Sequence, residues 1–266
     1  MVSHRETRSR TALFAGADSR PVVYEDWLVQ TVFFFVLVPM VYAALAVFII
    51  GTVSQGIRVL RGLRYSLTTA VGPEKKPKAW GALYHVFLLP KTLRDHPLHW
   101  VFLMAMHVAF LLLILGHLEL VGEIRILQVV EHEVFLGGGV VGVVLLAATL
   151  FFFVRRFHAP VREISVARDY YMLMLLLLVV LFGSQLHLAR RLFDYSTVGV
   201  AEYREYLHGM FAFRPALPEE LRDDYVGHSF LLVLHVFFAN IFLMLFPSSR
   251  MMHSLLALAL ARLRRR

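Results

Sequence analysis

The sequence contains no cysteine. This excludes disulfides, thiolate-held iron–sulfur clusters, c-type haem attachment and Cys-based zinc sites within the chain. If the chain handles electrons, histidines must hold the redox group or a partner must carry it. Charge is scarce as well. Charged residues make up 17% of the 266 positions and hydrophobic residues 58%, with a mean hydropathy of +0.65. A soluble domain typically has about 25% charged and about 45–50% apolar residues, so an ordinary soluble enzyme and a disordered chain are both excluded. The net charge of +8 does not point to nucleic acid, because the basic residues sit between long apolar runs and read as membrane topology signals. There is no internal repeat and no low-complexity tract. No signal peptide is expected, since the first apolar run is too long and follows about 26 polar-rich residues.

What the sequence does have is five apolar stretches near the ~20 residues that a helix needs to cross ~30 Å of hydrocarbon. They run from about Trp27 to Val53, His99 to Val121, Val134 to Val154, Tyr170 to Ala189 and Gly227 to Phe246. Lipid cannot satisfy an open strand edge, so the expected fold is an all-α integral membrane bundle of five transmembrane helices. Gly137-Gly138-Gly139 opens the third helix and allows a neighbour or a flat ligand to approach closely.

Charge asymmetry orients the bundle. Segment 54–98 holds eight Lys and Arg against two acids, 155–168 holds four against one, and the tail from Arg250 holds five basic residues. By contrast, 122–133 holds one basic residue against three acids, and 189–226 holds five against seven. The positive-inside rule then puts 54–98, 155–168 and the C-terminus in the cytoplasm, with the N-terminus and the other two loops outside. The basic loop 54–98, with Trp80, Tyr84 and Phe87, reads either as a partner surface or as a solvated loop on anionic lipid. The loop 189–226 mixes Tyr195, Tyr203, Tyr206, Met210, Phe211 and Phe213 with charges, which fits an amphipathic helix or lid.

The histidines are the chemically informative residues. There are thirteen, and His99, His107, His117, His187, His228, His235 and His253 lie inside or at the ends of the spans. Ionisable groups at membrane depth are costly and default to a functional reading. For any single one, a neutral imidazole bonded to the next helix is the bland alternative. His107 and His117 are ten residues apart, roughly 15 Å along one helix, so they cannot share a metal. Two ligands at different depths on one helix, matched by two on another, suit two stacked haems with bis-His ligation. Orientation pairs His117 with His235 and His107 with His253. The 18-residue gap from His235 to His253 is roughly 27 Å if straight, so a tilt or a break at Pro247 is needed. His228 and His235, seven residues apart, suit the spacing better. Geometry alone leaves both assignments open.

The stretch Met104 to His253 resembles the gamma (cytochrome b) subunit of respiratory nitrate reductase. That family includes membrane cytochromes of sulfite-reductase-associated and heterodisulfide-reductase complexes. The pieces that carry the resemblance are His107-VAFLLLILG-His117, with Gly116 before the second His; Gly137-Gly138; Arg155-Arg156-Phe-His-Ala-Pro160; and His235-VFFANIFLMLFPSSRMM-His253, with a Phe-Pro-x-Ser-Arg turn. The resemblance implies two haem b groups, with His117 and His235 as axial ligands of the outer iron and His107 and His253 of the inner. It also implies oxidation of menaquinol or ubiquinol near the outer haem. Electrons would pass to a cytoplasmic iron–sulfur subunit and a larger catalytic subunit; an outer-face cytochrome or iron–sulfur subunit is a further candidate partner. The chain then divides into an outer segment 1–26, a di-haem cytochrome b domain 27–253 and a basic cytoplasmic tail 254–266, in a bacterial or archaeal cytoplasmic membrane.

The family's Lys before the third helix is missing here. Glu131, His132 and Glu133 stand in that region, as quinol proton acceptors or as a solvated helix start. Arg155, Arg156 and Arg250 are candidate cations for haem propionates, against plain positive-inside anchoring. The long 54–98 loop and the acidic, Tyr-rich 189–226 loop favour the sulfur-metabolism relatives. Two other classes remain: a transporter or proton channel with a histidine relay, which would be colourless, and a structural anchor whose histidines merely pack.

Overall fold

The computed structural model describes residues 23–69, 84–85, 87–122, 128–130, 133–134, 139–193, 200–218 and 228–253. The described chain is almost wholly helical. Helix α1 (Val23–Leu37) runs into α2 (Pro39–Thr69) with a break at Val38. Pro39 has no N–H, so the carbonyl of Phe35 loses its helical donor. The bonds on either side survive, from Val38 N–H to Phe34 O at 2.9 Å and from Tyr42 N–H to Val38 O at 3.2 Å. The result is a kink rather than a turn. Two side chains from elsewhere seal it: Asn240 donates to Val36 O at 3.1 Å, and the Tyr206 hydroxyl donates to Leu37 O.

Short α3 (Pro90–Asp95) and long α4 (Pro97–Val121) each start with a proline in the first turn, where a missing N–H costs nothing. After α4 come two short antiparallel strands, β1 (Gln128–Val130) and β2 (Glu133–Val134). Then follow α5 (Val140–Arg155), α6 (Val161–Ile164), α7 (Ala167–Phe193), α8 (Val200–Phe211) and α9 (His228–Leu245). Two 3-10 turns, Phe246–Ser248 and Arg250–Met252, lead to His253.

Among the described residues, four helices are long and apolar enough to cross a membrane, over Trp27–Gly62, Pro97–Val121, Ala167–Leu186 and Phe230–Ser248. The remaining apolar helix, α5, has 16 residues. At 1.5 Å per residue that is about 24 Å, short of ~30 Å of hydrocarbon. It starts at Val140 rather than Val134 because the chain enters it through Gly139 at a φ of 95°, a left-handed conformation outside the helix. The first helix also runs 16 residues past Val53, to Thr69, so the 54–98 segment begins as helix rather than loop.

Helix α4 packs on α5, α5 on α7, α7 on α9, and α9 on α2. One buried cluster joins Leu145 of α5 to Met172, Leu176 and Val180 of α7 and to Phe242, Phe246 and Met252 at the far end of α9. A second joins Phe33, Leu37 and Val38 at the kink to Val233 and Val236 of α9 and to Tyr206 and Met210 of α8. The outside carries exposed Phe34, Phe35, Ile49, Ile50, Leu111 and Ile114. Apolar exposure on this scale suits a lipid surround.

Candidate functional site: two histidine pairs between α4 and α9

Helices α4 and α9 are not a closely packed pair; α5 and α7 complete the path between them. Histidines reach across the intervening space at two levels. The rings of His117 and His235 lie with centroids 6.2 Å apart and planes 24° from parallel. The rings of His107 and His253 lie 6.2 Å apart with planes at 63°. The difference in spacing along the two segments has a simple resolution. His107 to His117 and His235 to Leu245 are each ten residues of helix, roughly 15 Å. The remaining residues before His253 are spent in the 3-10 turns around Pro247 and Arg250, with Ser249 extended between them.

Every one of the four rings has its Nδ1 on a backbone carbonyl: His107 on Leu103 at 2.7 Å, His117 on Leu113 at 2.6 Å, His235 on Val179 at 2.8 Å, and His253 on Arg250 at 2.8 Å. A carbonyl only accepts, so the neutral imidazole carries its proton on Nδ1 and its lone pair on Nε2. This is the arrangement by which an outer partner orients a metal-ligating histidine. An imidazole nitrogen sits about 2.0 Å from a metal it ligates, so two imidazoles that would share one metal need ring centroids well over ~4 Å apart. Both pairs have that separation. Among the described residues, no group of three or more His, Asp or Glu side chains is clustered for a metal ion. Two ligands per level suit an iron whose other positions come from a flat macrocycle, and these residues fit haem b.

The His235 ring is received by a notch in α7. A Cβ built on Gly183 would lie 2.8 Å from His235 Cε1 and 3.0 Å from its Nδ1. The carbonyl that the ring uses, Val179, is one turn earlier on the same helix. Gly116 precedes His117 within α4, half-buried.

At the other end, Asp169 in the first turn of α7 is buried and ion-pairs with Arg250 at 3.1 Å and Arg156 at 3.4 Å. Arg250 therefore has a protein carboxylate as its partner. Arg155 closes α5 beside Phe151 and His158. Glu131 and His132 lie outside the described residues. Glu133 belongs to strand β2, and its side chain is also outside them, as are those of His187 and His228.

Helix α8 closes the end of the bundle that carries the His117–His235 pair. Arg204 donates to Glu119 O at 3.1 Å and pairs with the buried Glu119 carboxylate at 3.7 Å, while His208 contacts Val121 O at 2.8 Å. The Tyr42 hydroxyl donates to Met210 O at 2.6 Å. Burial pushes the Tyr203 hydroxyl up to about 12 and raises that of Tyr206, so both stay protonated at physiological pH. Sequence reasoning passed over Glu119, Asp169 and Gly183. A signal existed for Glu119, the lone carboxylate within the apolar run 97–121. None existed for Gly183, which reads as an ordinary small residue in a membrane helix.

The family model of the nitrate reductase gamma subunit matches residues 92–266, which contain all four histidines. No curated protein matches the chain.

Proposed function

Because this chain belongs to the nitrate reductase gamma subunit family, membrane cytochrome b subunits of redox complexes, we propose that it is a five-span, di-haem electron-transfer subunit. It oxidises membrane quinol near the outer face and delivers electrons to a cytoplasmic iron–sulfur partner. The observation that carries the reading is the pair of facing imidazoles at each of two levels, with all four Nδ1 atoms on carbonyls. When bound, two b-type haems supply one-electron transfer between those levels.

The chain's own residues do the rest. His117 and His235 would hold the outer haem, and His107 and His253 the inner. A haem held by two histidines would suit electron transfer rather than oxygen binding. Gly183 receives the His235 ring and Gly116 stands beside His117 in α4, and Arg155 is the cation for an inner propionate. Glu131, His132 and Glu133, following α4 at the end where His117 lies, accept the two protons that quinol releases and pass them outward. Quinol loses two electrons and two protons and leaves as quinone. Loop charge counts support an outside N-terminus and a cytoplasmic C-terminus in a cytoplasmic membrane. In this reading 27–253 is the haem domain, α5 is the fifth crossing, and menaquinol or ubiquinol is the substrate.

Quinol reduction of the membrane-embedded protein tests this. A menaquinol or ubiquinol analogue is expected to bring up a reduced b-type spectrum without any other reductant. The Glu131→Ala/His132→Ala/Glu133→Ala triple variant should slow that reduction about 10²-fold or more, the usual size of a lost proton acceptor. Reduction by dithionite alone, with quinol inert in both proteins, would overturn the quinol-oxidising role.

A further inference from the structure

The turn that ends in His253 is gripped from two sides. On one side, Pro247 rests on α2. A Cβ on Gly51 would lie 2.6 Å from Pro247 Cβ, and Gln55 Nε2 donates to Pro247 O at 3.2 Å. On the other side, the first turn of α7 reaches over. Arg168 donates to Ser248 O at 2.6 Å, and Asp169 pairs with Arg250 at 3.1 Å. Asp169 is well placed for this. It accepts from Val166 N–H at 3.3 Å at the helix N-terminus, where the helix dipole favours a carboxylate. Its side chain is only 4% exposed, and a second cation, Arg156, approaches it from the end of α5 at 3.4 Å. One carboxylate thus ties together α5, α7 and the 3-10 turn.

Arg250 is the link to the histidine. Its guanidinium takes Asp169, and its carbonyl takes the Nδ1 proton of His253 at 2.8 Å. We propose that Asp169 is a positioning residue which, through Arg250, fixes the ring of His253 against His107. The inference rests on the haem-ligand reading above. The bond from Nδ1 sets both the orientation and the basicity of an imidazole ligand, so a shift in the Arg250 backbone changes the properties of the metal it holds. The His117–His235 pair uses other carbonyls and does not share this tether.

The test uses the intact chain in its membrane, with redox titration and low-spin EPR of the two centres. Their ring planes differ, 63° against 24°, so the signals are distinguishable, and His107→Ala identifies which is which. Asp169→Asn is expected to shift the midpoint potential and EPR signal of the His107–His253 centre and leave the other unmoved. Asp169→Glu should restore much of the original signal. Arg250→Gln should reproduce the shift, and combining it with Asp169→Asn should add little. If Asp169→Asn does not accumulate, Arg250→Gln decides alone, since that side chain is 66% exposed and its loss leaves the buried Asp169 carboxylate still paired with Arg156. Both signals unmoved, or both declining together with the folded protein, would overturn the inference while two haems remain in the wild type. A wild-type protein without haem would instead overturn the proposed function, and this inference with it.

Discussion

Replacing His235 by alanine is expected to lower haem content from two per chain to one. His117→Ala should remove the same haem, and His107→Ala or His253→Ala the other. The expectation follows from how the four residues are distributed. Each pair spans α4 to the α9 segment at its own level, with its own carbonyl partners. Losing a ligand leaves the other pair's rings, tautomers and separation in place. Deleting an outer partner of a ligand typically costs 10–100-fold in metal affinity, and deleting the ligand itself costs more. A packing role for the histidines gives a different result. Three of the four rings are exposed in the folded chain, so truncating them would cost little stability and change no colour. Haem counts and difference spectra of the four single variants separate the two readings.

The second large effect is expected at Gly183. Considered as a helix residue alone, Gly183→Ala should stabilise α7 by about 1 kcal/mol, since alanine is the better helix former. The His235 ring reverses that expectation. A methyl group would sit 2.8 Å from Cε1 and 3.0 Å from Nδ1. The ring must then withdraw, and its bond to Val179 O, now 2.8 Å, must lengthen. Gly183→Ala should therefore weaken or lose the haem on the His117–His235 pair, and Gly183→Val should lose it outright. The His107–His253 centre should keep its spectrum in both variants. Redox titration of the membranes reads the two centres separately. An unchanged pair of signals in Gly183→Val would mean that the notch does not set the ring's position.

These two sites differ in how legible they were. His107 and His117 declare themselves by lying ten residues apart in an otherwise apolar run, because a polar group at membrane depth stands out from its neighbours. Gly183 does not, since its meaning comes from a ring 52 positions away in sequence. Asp169 carries no signal of its own in the sequence, since only the fold brings Arg156 and Arg250 to it. Four of the five apolar runs coincide with helices long enough to cross a membrane, but the runs do not mark the helix ends. Hydropathy reports where lipid would stop, whereas α2 continues through Ser54, Gln55 and Arg58 to Thr69, because nothing there breaks its hydrogen bonding. Pro39 marks the kink at Val38, yet the run Trp27–Val53 reads as one uninterrupted helix when apolarity is the only guide. The glycine run before α5 reads as the start of a helix in the sequence, but Gly139 holds a left-handed conformation and the helix begins after it.

Every one of these expectations depends on two b-type haems being bound between α4 and the α9 segment. Haem content per chain, with a reduced-minus-oxidised spectrum of the purified wild-type protein, tests it most directly. Two haems per chain with b-type bands are expected. A colourless protein from cells with an adequate haem supply would rule out the cytochrome role and return the membrane histidines to a proton or substrate pathway.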